Sequence, residues 1–216
     1  MQNYAILIDG GLAKRKLGSA VRPATAQDFA GLVQKLQATA PLEAMRLHRV
    51  YCCDSAPLET AHDKPLNGGR VEFGNNPIAN RSRQLFAQLA KQPFTALRLG
   101  ELAFEGWAIS SKTFNTAPGA SLQITADDRK PQISQKGMDM RVGMDIAALT
   151  LKKQVQAIVL VSGDSDFVSA MSLLAEKAPT SFWYPLGSES NLPCWSTATC
   201  CWRFECFVAE SLLRRL

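Results

Sequence analysis

The chain has 216 residues, of which 46% are hydrophobic and 20% charged. This is the composition of a folded globular protein, and it excludes disordered, collagen-like and coiled-coil chains. The formal net charge of +5 indicates a mild preference for polyanionic partners. The length fits one α/β domain better than two full domains.

Neither a membrane span nor a leader is indicated by the sequence. The longest apolar run covers residues 157–161, far short of the roughly 20 residues that cross a bilayer. The chain begins with a strand-like run instead of a basic region, so we expect a cytoplasmic protein. Cys52 and Cys53 are adjacent, and the other four cysteines crowd near the end without a Cys-x-x-Cys pair. This pattern favours reduced thiols over disulfides or a zinc site.

The first half of the chain alternates strand and helix signals. Residues 4–8 predict a buried strand that stops at a loop beginning with Asp9. Thr25 is a candidate N-cap for a helix whose apolar residues recur at helical spacing until Pro41. Residues 45–53 predict a second strand, and the polar segment 55–80 predicts an ordered excursion or a mobile insertion.

The second half returns to the same alternation after an irregular segment. The pattern predicts, in order, a helix from Arg81 to Pro93, paired strands over 95–99 and 101–109 around Gly100, a loop over 110–136, a helix over 138–153, a strand over 155–161, a helix over 167–177 and a strand over 181–184. Near-continuous apolar strands alternating with helices predict a mainly parallel sheet covered on both faces, a three-layer α/β/α sandwich.

Carboxylates follow the predicted strands at the positions where parallel sheets bind ligands. Asp9 and Asp164 come directly after or soon after apolar strands, and Asp166 begins the next predicted helix. Each has a structural alternative, since Asp9 adjoins two turn-forming glycines and Asp166 suits a helix N-terminus.

The helix from Met138 carries two further carboxylates. Asp139 and Asp145 border its apolar stripe on opposite edges, about 9 Å apart along the axis. Asp139 is the better ligand candidate. Asp145 is alternatively a boundary residue paired with Lys136, Arg141 or Lys152.

Several carboxylates at one sheet edge repel each other, and a divalent cation removes that cost. Ligand sets made only of oxygen select Mg²⁺ or Mn²⁺, which lower the pKa of bound water and clamp phosphodiesters. The sequence has no Gly-x-Ser-x-Gly motif, phosphate-binding P-loop or dinucleotide fingerprint.

Three segments together resemble the signature motifs of the NYN domain, a branch of the PIN-like ribonuclease superfamily. They are Ile8-Asp9-Gly10-Gly11, Lys136-Gly137-Met138-Asp139 with Asp145 six residues on, and Val161-Ser162-Gly163-Asp164-Ser165-Asp166-Phe167-Val168. The resemblance is to bacterial NYN proteins with a long middle segment, and it implies a PIN-like fold and Mg²⁺- or Mn²⁺-dependent RNA cleavage. By motif position it makes Asp9, Asp139, Asp164 and Asp166 the metal-site carboxylates and catalytic residues, with Asp145 as a supporting acid.

The resemblance covers residues 4–185, so we expect a nuclease domain over residues 1–186. The chain departs from the family where Gly10, Gly11 and Leu12 stand in place of an Asn shortly after the first Asp. The segment 187–216, rich in cysteine and tryptophan, lacks the expected polar last helix, and we expect it to pack on the same domain.

Basic and polar residues around these motifs are candidate RNA contacts. Without the five carboxylates the rest of the chain would carry +10, from +5 plus 5. The candidate backbone contacts are Lys14, Arg15, Arg81, Arg83 and Arg141, and Ser162 or Ser165 could donate a hydrogen bond to the scissile phosphate. Phe73, Trp107 and Phe114 could stack on unpaired bases, although core packing is the more usual role of aromatic residues.

The sequence therefore predicts a metal-dependent ribonuclease that acts through activated water. The alternative is a non-catalytic RNA-binding or protein-interaction module with the same acidic pocket. The sequence does not decide whether the chain forms a homo-oligomer. A haloacid-dehalogenase-like phosphatase is disfavoured because Gly11 stands where that chemistry needs a second Asp.

Overall fold

The computed structural model describes residues 1–40, 42–114 and 121–162, together with the backbone of a strand at 180–184. The predicted helix over 167–177 and the segment 187–216 lie outside the described residues. The chain divides into two compact units. Unit 1 comprises Met1–Asp54, Leu85–Leu99 and the chain from Met138 onward, and unit 2 comprises Ser55–Gln84 and Gly100–Gly137.

The regular elements follow one another as strands and helices along both units. In chain order they are β1 (Asn3–Asp9), α1 (Gly10–Leu17), α2 (Ala26–Gln37), β2 (Arg46–Ser55), β3 (Ala61–Asp63), β4 (Arg70–Glu72), α3 (Pro77–Leu89), β5 (Thr95–Ile109), β6 (Arg129–Lys136), α4 (Met138–Leu151), β7 (Ala157–Val161) and β8 (Thr180–Tyr184). Within the described ranges, no helix is long and apolar enough to cross a membrane.

In unit 1 the strands of the sheet lie in the order β5-β2-β1-β7-β8, and Thr95–Leu99 is the part of β5 that belongs to this unit. The pairs β1–β2, β1–β7 and β7–β8 are all parallel. Because β1 is central and lies between two parallel neighbours, its residues 4–8 are each 1% exposed or less. A continuous apolar run is what a strand buried on both faces requires.

Helices cover both faces of this sheet. Alternate side chains of β1 therefore pack in two different core layers, one on each face. Tyr4, Ile6 and Ile8 belong to a core layer with α1, α2 and the end of α3, whereas Ala5 and Leu7 belong to a layer with α4. The α4 residues in that second layer are Met138, Val142, Ile146 and Leu149, which is the predicted stripe. The predicted three-layer α/β/α class with a mainly parallel sheet is confirmed.

The helix at Thr25 begins as predicted, and a second helix was missed. Thr25 Oγ1 accepts from the Asp28 amide, and the Asp28 carboxylate accepts from the Thr25 amide, so the two residues form a capping box. The residues after Asp9, predicted as a loop, form α1. Two consecutive glycines hid this helix, because glycine has a low helix propensity.

Unit 2 contains two antiparallel pairs, β3 with β4 and β5 with β6. The segment 55–80 therefore contains regular structure, namely β3, β4 and the start of α3. The prediction of two strands meeting at Gly100 was wrong, since β5 runs unbroken through it and the Gly100 carbonyl accepts from the Ala56 amide. The irregularity lies instead at Gly106, where φ is +126° and the pairing register shifts between Phe104 and Gly106.

The segment 110–136 was predicted as a loop, and its last eight residues form β6 instead. Six of these eight residues are exposed, and the rest are half-buried. An exposed strand that pairs along one edge needs no apolar alternation, so the periodicity that identifies buried strands is absent here.

An aromatic cluster packs between the strands of unit 2. The His62 and Phe104 rings stack with centroids 3.8 Å apart, and Phe104 meets Trp107 edge to face at 5.6 Å. Phe73, 9% exposed, lies 5.7 Å from Phe104. The register shift places Phe104 and Trp107 opposite Ile133 and Pro131, two residues apart on β6, so both rings lie on one face.

Candidate functional site

Asp9 ends the central strand and caps the helix that follows it. Its Oδ1 accepts a hydrogen bond of 3.0 Å from the Leu12 amide, and its backbone is extended, as an N-cap requires. The side chain thereby satisfies one of the free amides at the start of α1. Asp9 is therefore a fixed anionic group at the carboxyl edge of the sheet.

The end of β7 lies at the same level as the end of β1. Ile8 pairs with Val161 in the parallel register, so Asp9 and Ser162 are the next residues on two neighbouring strands. Ser162 is fully buried and has a polar partner. Asp164, Ser165 and Asp166 follow Ser162 after one glycine in the chain but lie outside the described residues.

Asp54 is a carboxylate that the sequence reasoning did not select. It directly follows Cys53, which pairs with Asp9 in the register of β1 and β2, so it too lies at the carboxyl edge. A Cβ built on Gly10 would lie only 2.7 Å from Asp54 Oδ2, so Gly10 lets this carboxylate sit against the start of α1. The rule that selected Asp9 could have selected Asp54, which is the second-last residue of a strand parallel to β1.

Lys14 binds the Asp54 carboxylate. Its Nζ lies 2.7 Å from Asp54 Oδ2 and 5.7 Å from the centroid of the Phe86 ring. The Asp54 side chain is 12% exposed and the Lys14 side chain 30%. The predicted phosphate-binding lysine is thus held at the carboxyl edge by an ion pair.

Asp145 is held by an arginine on β5. Arg98 Nε and Nη2 donate to the two Asp145 oxygens at 2.6 and 3.1 Å. Hydrogen bonding to Asp145 raises the pKa of Arg98 above its ordinary value, so the guanidinium stays charged. The boundary-residue interpretation named Lys136, Arg141 or Lys152 as partner, all within nine positions along the chain. That choice was wrong, because tertiary packing brings Arg98, 47 positions away, to this carboxylate.

The same arginine contacts the aromatic ring of Tyr51, with its guanidinium carbon 5.0 Å from the ring centroid. Burial, and then the charge of Asp145, raises the pKa of Tyr51. Burial likewise raises the pKa of Cys53, with smaller contributions from Cys52, Asp145 and Asp9. Asp145 thus belongs to a packed layer between sheet and α4.

Asp139 lies in the first turn of α4 and is exposed, as is the neighbouring Arg141. An exposed carboxylate at a helix N-terminus is favoured by the helix dipole and is accessible to a ligand. Its convergence with Asp9, Asp164 and Asp166 stays a prediction. Within the described ranges, no three Asp, Glu, His or Cys side chains are grouped to hold a metal ion.

The remaining basic candidates differ in how they are engaged. Arg15 and Arg81 are exposed, the first on α1 and the second on α3. Arg83 donates to both oxygens of Glu59 and to the Gly74 carbonyl, so the donors of its Nη2 are already engaged within unit 2. Lys14 and Arg15 belong to unit 1, and Arg81 and Arg83 to unit 2.

Comparison with known proteins gives one family and one solved structure. A protein of unknown function from Vibrio parahaemolyticus is similar at 14% identity and a TM-score of 0.46, over 87% of this chain and 85% of that one. No curated protein matches the chain. Residues 103–183 match the family model of the NYN domain, and this match confirms the family resemblance that the motifs predicted.

Proposed function

We propose that the protein is a metal-dependent ribonuclease that hydrolyses RNA phosphodiester bonds. The NYN match implies a nuclease-type fold of the PIN-like class. The observation that carries the proposal is the position of Asp9 at the carboxyl edge, level with the end of β7, where Ser162 opens the acidic motif that lies within the matched segment.

The donor set fits a hard divalent ion. Asp9, Asp139, Asp164 and Asp166 would hold Mg²⁺ or Mn²⁺, since all four offer carboxylate oxygens. When bound, the ion supplies an activated water and neutralises charge on the phosphate. The hydrogen bond from the Leu12 amide orients the Asp9 carboxylate for this role.

The other residues act on the substrate or on the frame of the site. Ser165 donates a hydrogen bond to the scissile phosphate, a role for which Ser162 is too deeply buried. Lys14, Arg15, Arg81 and Arg141 contact the RNA backbone. Arg83 is the weakest of the proposed contacts because Glu59 occupies it. Asp145 supports the site through Arg98, which ties α4 to β5. Residues 1–186 would then act together as the cytoplasmic nuclease.

The substitution Asp9→Asn tests this proposal. Asparagine caps a helix as well as aspartate does, so α1 should persist while the charge needed by the ion is lost. We expect Mn²⁺-dependent cleavage of single-stranded RNA to fall to the level seen with chelator. Asp127→Asn, which removes the same charge from a side chain 99% exposed, is the matched control and should cleave normally.

Two outcomes would overturn the proposal. Cleavage by Asp9→Asn at the wild-type rate would remove this carboxylate from the chemistry. RNA binding by the wild type, without cleavage under Mn²⁺ or Mg²⁺, would instead support a non-catalytic RNA-binding module.

A further inference from the structure

The Lys14–Asp54 ion pair has a directional arrangement. The Asp54 carboxylate packs against Gly10, and the Lys14 side chain that pairs with it has more than twice the exposed fraction of the Asp54 side chain. An anion in solvent therefore has more access to the lysine than to the aspartate. An ammonium group also carries three N–H donors, and the contact with Asp54 Oδ2 takes one of them.

Two restraints fix this lysine before any ligand arrives. Asp54 holds Nζ at 2.7 Å, and the Phe86 ring lies beneath it at 5.7 Å from the centroid. A lysine side chain loses several rotatable bonds when it is immobilised on a ligand. Holding it in place beforehand reduces that loss, which is how preorganisation increases affinity.

We propose that Asp54 is a positioning residue that presents the Lys14 ammonium to an RNA phosphate at the carboxyl edge. The inference rests on the proposed function, from which it takes RNA as the ligand. It adds Asp54 to the site and assigns it a role through Lys14 instead of a role on a metal ion. An acidic residue that increases the affinity of a neighbouring cation for an anion is the opposite of simple electrostatic competition.

The experiment is a double-mutant cycle on RNA affinity. The wild type, Lys14→Ala, Asp54→Asn and the double variant are titrated with a single-stranded oligoribonucleotide, with chelator present to stop cleavage and at several salt concentrations. Lys14→Ala should raise the Kd roughly threefold to tenfold and reduce the log–log salt slope by about 0.7. In the Asp54→Asn background the same lysine substitution should raise the Kd by less than about twofold.

The sign of the coupling decides between the two roles of Asp54. If Asp54 competes with RNA for Lys14, the lysine substitution will cost more affinity in the Asp54→Asn background than in the wild type. Equal costs, or no cost of Lys14→Ala in the wild type, also overturn the proposal. Asp54→Ser provides a second removal of the carboxylate, and thermal unfolding establishes that each variant is folded.

The control cycle uses Lys64 and Asp127, an ion pair of 3.2 Å in unit 2 with the opposite arrangement, the lysine 17% and the aspartate 99% exposed. It should show no coupling in RNA affinity. A parallel cleavage assay with Mn²⁺ separates the inference from the proposed nuclease. Coupling without cleavage by the wild type would leave the positioning pair standing and contradict the nuclease, and cleavage without coupling would do the reverse.

Discussion

The contacts that stabilise unit 1 internally differ from those that stabilise unit 2 internally. In unit 1 the central strand β1 buries five consecutive residues, each 1% exposed or less. In unit 2 Phe73 and Leu58 are each 9% exposed. Five of the eight ion pairs among the described residues lie in unit 2, on the smaller number of residues.

Apolar burial and exposed ion pairs contribute very different amounts to the free energy of unfolding. Burial of apolar area supplies about 25 cal/mol per Å², whereas an exposed ion pair contributes roughly 0 to 1 kcal/mol. Unit 1 therefore depends on its core, and unit 2 depends on its aromatic cluster more than on its ion pairs. Three sets of substitutions test this comparison.

The largest effect is expected in the core of unit 1. Ile6→Ala removes a fully buried side chain from the central strand and should lower the free energy of unfolding by about 2 to 5 kcal/mol. Denaturant unfolding followed by circular dichroism measures this change. Ile133→Ala, on β6 and 41% exposed, is the control and should cost less than about 0.5 kcal/mol. Similar costs at both positions would contradict the contrast.

A smaller effect is expected from the aromatic cluster. Phe104→Ala removes the ring that contacts His62, Phe73 and Trp107. We expect the free energy of unfolding to fall by about 2 kcal/mol, because Phe104 is half-buried. Native-state hydrogen exchange should show faster exchange in β6 with β1 and β7 still protected. Equal acceleration in β1 would mean that the two units do not open separately.

The smallest effect is expected from a pair of matched caps. Thr25 and Asp28 begin α2, of 12 residues, and Thr125 and Asp128 make the same amide-to-carboxylate contact before a turn of 3 residues. Thr25→Ala should cost about 1 kcal/mol. Thr125→Ala should lower the free energy of unfolding by only a few tenths of that amount, since the cap at Thr125 supports a turn of only 3 residues.

The Thr25 contacts also give the first cap a defined pH dependence. Hydrogen bonds from Thr25 and Arg22 lower the pKa of Asp28 to about 2. A carboxyl group with a lowered pKa in the folded state stabilises the fold above its ordinary pKa near 4, and that contribution is lost as pH falls toward 2. The difference in Tm between wild type and Thr25→Ala should therefore shrink over that interval. A constant difference would show that the Asp28 charge contributes nothing.

The elements that the sequence predicted are those whose burial leaves a periodic signal. The apolar runs of β1 and β7 and the stripe from Met138 to Leu149 were identified because both faces of the sheet are covered. The strand β6 has no such signal, because its side chains are mostly exposed. The helix α1 has little either, since its stability comes from the Asp9 cap and from packing instead of from propensity.

The candidate site was predictable to the extent that it depends on strand ends. Asp9 was found through the rule that ligands bind beyond the carboxyl ends of parallel strands, and the family match includes the segment with Asp139. The partners of the charged residues were not predictable. Arg98 and Asp145 are 47 positions apart, and Lys14 and Asp54 are 40 apart, so their contacts depend on tertiary packing that spacing does not encode.

Cys52 and Cys53 are neighbours in the chain whose side chains lie on opposite faces of the sheet. Both thiols are free and buried, and strand alternation places Cys52 in the layer of α1 and α2 and Cys53 in the layer of α4. Desolvation raises the pKa of both, so neither reacts until its own layer opens. Two adjacent positions thus act as independent chemical reporters: the order in which reagent modifies them under mild denaturant gives the order in which the two helical layers leave the sheet.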